Sequence, residues 1–158
     1  MKIFLDLDGV FANFDREVEK QHGKWDRGSN DIWKTLEQIP NLFYRLELLP
    51  DSLKLITMLY HHDLEFLTAL PEPTGYLRTA HDDKVAWIKK NVSRTIPVNT
   101  IIGGKNKYIF LNDNPGAVLI DDYDRNIAIW TAYGGIGIHH VDVDTTIDKL
   151  ELLGLLRE

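Results

Sequence analysis

Hydrophobic and polar positions along this chain change their period twice. Residues 2–7, KIFLDL, form a short apolar run closed by charge, the pattern of a strand covered on both faces. Gly9 then permits a turn. Across residues 11–62 the spacing becomes helical, as in Phe11, Phe14 and Val18 or in Leu53, Ile56 and Leu59, while HGKWDRGSN (22–30) and IPN (39–41) interrupt it as loops. From residue 63 onward strands and helices alternate. DLEFLTAL, NTIIGG, AVLIDD and IGIHHV read as strands, and TGYLRTAHDDKVAWIKKNV, YDRNIAIWTAYGG and TTIDKLELLGLL as helices, with KNKYIFLN a turn or short helix. This order predicts an α/β fold in three layers, a mostly parallel sheet with helices on both faces. The core comprises residues 1–10 and 63–158, and a small helical cap, residues 11–62, is inserted after the first strand.

Three of the predicted strands end in polar residues: Asp6 and Asp8 in the first, Thr68 in LEFLT, Asp121 and Asp122 in AVLIDD. In an open α/β sheet, ligands bind in the crevice outside the carboxyl ends of the strands, so these endings converge on one site. Isolated carboxylates at such positions are costly to bury, and at an effective dielectric of about 20 a single pair 4 Å apart repels by roughly 4 kcal/mol. A hard divalent cation relieves this, and an oxygen-only donor set without His or Cys suits Mg²⁺. Asp6 and Asp8 thus read as metal ligands in part. Two aspartates separated by one residue also meet a second demand, that of a nucleophile and a general acid flanking one reacting group.

Composition narrows the partners. The formal charge of -6 excludes a broad basic surface of the kind that binds duplex DNA nonspecifically, so no stable nucleic-acid partner is expected. A small anionic ligand met by a few placed cations is compatible with it. Cysteine is absent, the start MKIFLDLDGV lacks an apolar signal region, and the apolar runs are too short to span a bilayer. The expectation is a soluble, cytoplasmic protein with no membrane partner.

DLDGV at residues 6–10 resembles the DxDG[TV] signature of the haloacid dehalogenase-like phosphohydrolases, which have a Rossmann-like core. The resemblance continues in order through Thr68 in FLTAL, Lys84 in KVAWIKK and the Asp121-Asp122 pair in VLIDD. KVAWIKK followed by PGAVLIDDYDRN is similar to the 5'(3')-deoxyribonucleotidase branch, which also carries a helical cap after its first motif. This resemblance implies that Asp6 is the nucleophile that forms an aspartyl-phosphate, and that Asp8 is general acid and then base. Thr68 and the backbone N–H of Ala69 would contact the phosphoryl oxygens, and Lys84 would neutralise the phosphate and orient Asp6. Asp122, supported by Asp121, would complete the Mg²⁺ site with Asp6 and the Asp8 carbonyl. Two positions depart from the nucleotidase pattern: TALP stands in place of Thr-Ser-Pro, and Tyr123, with Arg125 two further on, replaces the arginine after the paired aspartates.

The expected activity is therefore Mg²⁺-dependent hydrolysis of a small phosphate monoester, a (deoxy)nucleoside monophosphate first. Another small phosphate ester, a nucleic-acid 3'-phosphate end, and a catalytically silent nucleotide-binding relative are the alternatives. Lys105 and Lys107 in GGKNKY rival Lys84 for the phosphate, and the spacing around them does not make a P-loop. In the cap, Asn13 and Phe14 are candidate substrate contacts, with Trp25 and Trp33 behind them. The pairs His61-His62 and His139-His140 read as structural, because adjacent histidines diverge on a helix or strand.

Overall fold

The apolar run at the start of the chain becomes β1 (Lys2–Leu5), the middle strand of a five-stranded sheet. In this computed structural model, which describes residues 1–157, the other strands are β2 (Asp63–Leu70), β3 (Val98–Ile102), β4 (Val118–Asp121) and β5 (Ile136–His139). Their spatial order is β3-β2-β1-β4-β5, and every pairing is parallel. The chain steps outward from β1 through β2 to β3, then returns to lay β4 on the other side of β1. The order therefore reverses between β1 and β4, where an open sheet leaves a crevice at its carboxyl edge.

Among the described residues six α-helices accompany the strands: α1 (Phe14–Gln21), α2 (Trp33–Leu36), α3 (Leu53–Leu59), α4 (Ala80–Asn91), α5 (Asp124–Ala132) and α6 (Val143–Leu152). Side chains alternate across the sheet and both faces are covered, which explains why β1 and β4 at its centre are apolar along most of their length. Ile3, Leu5, Phe66, Val118 and Ile120 join the larger core with Leu55, Leu59, Ile88 and Leu150 from α3, α4 and α6. Phe4, Leu67 and Leu119 turn the other way, onto Trp130 of α5 and Leu111. The sequence predicted one helix over residues 74–92; its first turn is a 3₁₀ segment (Gly75–Thr79) before α4 begins.

The insert after β1 is pinched off at its base. The Asn13 amide donates to the Glu47 carbonyl at 2.8 Å and the Leu49 amide to Phe11 at 2.7 Å, so the departing and returning chains pair. Between them lie α1, α2, a 3₁₀ turn (Leu42–Tyr44) and the irregular residues 22–31. Phe14 is the hub of this lobe, stacked on Phe43 at 5.8 Å and on Trp33 at 6.1 Å, with Trp25 edge-on at 6.0 Å. The boundary read from the sequence at residue 62 needs one adjustment. Helix α3 packs against α6, so it belongs with the layer covering the sheet rather than with the lobe above it.

Candidate active site

A tight loop carries the chain from β1 into the lobe. The Leu7 carbonyl accepts from the amides of Val10, Phe11 and Ala12, and the Gly9 amide returns to the Ala12 carbonyl at 2.8 Å. Gly9 has φ +84°, and a Cβ there would stand 1.9 Å from Asp122 Oδ2. Only glycine suits this position, both for its backbone and for the space it leaves the carboxylate. Asp6, Asp8, Asp121 and Asp122 are thereby gathered at the point where the strand order reverses, and carboxylate oxygens of Asp6, Asp121 and Asp122 lie within 4.8 Å of one another.

Two buried lysines serve this cluster, each holding a different catalytic candidate. Lys107, 2 % exposed, donates to Asp6 Oδ1 at 2.9 Å and to Asp121 Oδ2 at 2.8 Å. Lys84, 1 % exposed, donates to Asp8 Oδ2 at 2.9 Å, Thr68 Oγ1 at 3.0 Å and the Ala69 carbonyl at 2.6 Å. The expectation that Lys84 orients Asp6 is corrected here. Lys84 rises from α4 on the β2 side of β1 and meets Asp8, whereas Lys107 comes from the 3₁₀ segment Gly104–Leu111 that crosses from β3 back to β4, and so reaches the reversal point.

The fields inside the cluster pull its members apart. Burial, reinforced by Asp121 and opposed by Lys107, holds the Asp6 carboxyl well above its ordinary value of 3.8. Burial also works to raise Asp121, but Lys107, the Tyr123 amide and Asn126 outweigh it, and Asp121 lies below its ordinary value. Lys107 sheds its proton less readily than a free lysine: burial opposes the charge, and Asp6 and Asp121 more than restore it. Burial lifts Asp122 against the pull of Arg27, whose guanidinium approaches its Oδ2 to 2.7 Å. Four carboxylates thus face three cations, Lys84, Lys107 and Arg27, leaving the group with one net negative charge when all are ionised.

A cleft of about 700 Å³ opens above these groups, within the ordinary range of roughly 300 to 1,000 Å³ for small-ligand sites. Its floor is Asp6, Asp8, Lys84, Lys107, Asp121 and Asp122, and Ala69, Leu70 and Pro71 form one wall. The roof comes from the lobe: Trp25, Arg27, Trp33 and Phe43, with Phe14 behind. Several candidates serve otherwise than the sequence suggested. Asn13 spends its side chain capping α1, accepting from the Arg16 amide, and lines a smaller side pocket rather than the cleft. Phe14 is mostly lobe core and offers little of its surface. Thr68 is wholly buried beneath the cleft, its hydroxyl engaged by Lys84. Lys105 makes no ion pair with the cluster among the described residues, whereas its rival Lys107 makes two. Three of the four paired histidines are tied into the fold, His139 to the Asp122 carbonyl, His140 to Thr146 and His62 to the Leu155 carbonyl, while His61 Nδ1 is buried without a partner among the described residues.

Two residues escaped the sequence reading. Arg27 sits in a loop without periodicity or motif, and Asn126, on the first turn of α5, donates to Asp121 Oδ2 at 3.2 Å. The spacing of Asn126 after Asp121 on a helix that follows a strand was a usable signal; nothing marked Arg27.

The donor set suits a hard divalent cation. Asp121 already accepts from Lys107, Tyr123 and Asn126, which leaves Asp6 and Asp122 the less committed carboxylates, and the glycine beside Asp122 keeps space in front of it. Asp8 Oδ1 is buried with no hydrogen-bond partner, the kind of atom that a bound group or a transferable proton satisfies. No protein-family model matches the chain, and no curated protein matches it significantly. Among the described residues no helix is long and apolar enough to cross a membrane.

Proposed function

We propose that this protein is a Mg²⁺-dependent phosphomonoesterase of the haloacid dehalogenase-like kind, acting on a (deoxy)nucleoside monophosphate. One observation carries the reading. Asp6 and Asp8 both line the cleft, each held through one oxygen by its own buried lysine, and Asp8 Oδ1 is left without a partner.

The division of labour follows from these contacts. Lys107 fixes Asp6 by Oδ1, and the second oxygen attacks phosphorus as the ester P–O bond breaks, giving an aspartyl-phosphate. Lys84 fixes Asp8 by Oδ2, and the unpartnered Oδ1 delivers a proton to the departing alkoxide. Asp8 then takes a proton from water, whose oxygen attacks the phosphoryl group, and cleavage of the Asp6–phosphorus bond releases inorganic phosphate and restores both carboxyls. Mg²⁺ held by Asp6, Asp122 and the Asp8 carbonyl, with Asp121 behind, would supply positive charge to the transferred group. Its charge would also offset the net negative charge of the cluster, so that a phosphate monoester dianion can approach.

The aromatic roof supports a flat substrate. Trp25 and Trp33 present ring surface to the cleft, and stacking of a base on such rings contributes about 1 to 3 kcal/mol. Phosphate release with MgCl₂ from a panel of deoxynucleoside and nucleoside monophosphates, sugar phosphates and a 3'-phosphorylated oligonucleotide tests the assignment. Nucleoside monophosphates are expected to lead. If sugar phosphates outrun every nucleotide, the substrate class is wrong; if nothing is hydrolysed with any divalent metal, the enzyme reading is lost.

A further inference from the structure

The lobe is fastened to the core unevenly. Its later half is bound by several neutral and ionic contacts: Asn41 donates to Asp83 at 2.9 Å, Trp87 Nε1 to the Leu46 carbonyl at 2.8 Å and the Tyr76 amide to the Glu37 carbonyl at 2.8 Å, while the Lys84 ammonium sits 4.5 Å over the Phe43 ring. Residues 22–31 differ. They have no helix or strand, contain Gly23 and Gly28 at positive φ, and make their hydrogen bonds among themselves or to the lobe, as Ser29 does to Asp31 and His22 to Thr35. Toward the core they extend one polar link among the described residues, Arg27 Nη2 to Asp122 Oδ2 at 2.7 Å, with the guanidinium 5.5 Å over the Tyr123 ring.

That link lands on a carboxylate that the proposed function gives to a cation. A charge-assisted bond of this length occupies Asp122 Oδ2, and a guanidinium and a divalent ion on one carboxylate repel each other. The two positive groups are therefore alternatives at Asp122. We propose that Arg27 is a latch: it holds the 22–31 loop over the cleft by standing in for the cation at Asp122, and arrival of the cation displaces it and frees the loop, so that metal binds before substrate. The proposal rests on the Mg²⁺-dependent reading above. By reciprocity, whatever affinity the cation loses in displacing Arg27 is the strength with which it loosens the loop.

The test uses the whole protein, MgCl₂ alone as ligand, calorimetric titration for the dissociation constant and hydrogen exchange for residues 22–31. In the wild type, Mg²⁺ should speed exchange in this loop, the opposite of ordinary ligand protection. Arg27→Gln should exchange rapidly there without metal, gain nothing further from Mg²⁺, and bind Mg²⁺ roughly fivefold or more tightly, the lower end of ordinary site-to-site coupling. Unchanged exchange in β1 and β4 would show that the variant is folded. Equal Mg²⁺ affinity in both proteins, or tighter binding by the variant without a freed loop, overturns the latch and leaves the phosphatase reading standing. Failure of both proteins to bind any divalent cation overturns both.

Discussion

Replacing Lys107 with methionine isolates the electrostatic logic of the site. The side chain is 2 % exposed and its ammonium lies 2.9 Å from Asp6 and 2.8 Å from Asp121, so methionine fills nearly the same volume and removes only the charge and its hydrogen bonds. At an effective dielectric of about 20 each contact is a gross attraction of roughly 6 kcal/mol, much of it offset by the cost of burying the ammonium. Without it two adjacent carboxylates remain buried with no cation between them. Deleting one partner of a buried pair costs about 3 to 5 kcal/mol, a large part of the roughly 5 to 15 kcal/mol that stabilises a domain. For a chain of 158 residues this lowers the midpoint of thermal unfolding by about 6 to 20 °C. Urea and thermal unfolding at several pH values would read it. The orphaned carboxylates hold protons more tightly in the native than in the unfolded state, so the deficit should shrink as the pH falls from 8 toward 5, and adding Asp6→Asn should recover part of it. A loss under about 1 kcal/mol, or a deficit independent of pH, would refute the claim that Lys107 neutralises Asp6 and Asp121.

Other substitutions probe the remaining parts. Asp6→Asn in the otherwise wild-type protein should abolish turnover yet stabilise the fold: Asp6 has a folded-state value raised above 3.8, so its native state loses stability as the pH rises from about there through the raised value, and the gain seen in denaturant unfolding at pH 7 should vanish near pH 3. Asp8→Asn keeps an oxygen for Lys84 and leaves in place the backbone carbonyl proposed to help hold Mg²⁺, so Mg²⁺ and inorganic phosphate should still bind by calorimetry while turnover falls about 10²-fold or more; near-normal turnover would place the acid elsewhere.

What the chain disclosed in advance follows a physical line. Asp6, Asp121 and Asp122 were legible because apolar runs ending in charge must surface at the carboxyl edge of a parallel sheet, and the step back from β3 to β4 puts that edge beside β1. That Lys84 starts on the inward face is legible in the helical stripe it makes with Ile88 and Val92, and the structure buries it there. Its partner was not legible, because which lysine meets which aspartate depends on the side of β1 from which each arrives. Lys107 lies on a 3₁₀ segment too short to display a period, and so carried no sign of its burial. Asn13 illustrates the opposite error: an Asn directly before a helical stripe is an N-cap by ordinary preference, and that local use takes precedence over ligand contact. Arg27 acts across the cleft from a loop, and long-range pairs of that sort leave no mark in local sequence.

The central claim is a covalent phosphoryl transfer to Asp6 that depends on a divalent cation. Its most direct measurement is hydrolysis of an aryl phosphate by the purified protein with MgCl₂, with EDTA, and in the Asp6→Asn variant. The account predicts steady release of the aryl alcohol with Mg²⁺ and none in the other two; undiminished hydrolysis in EDTA or by Asp6→Asn, or none by the wild type with any divalent metal, would contradict it.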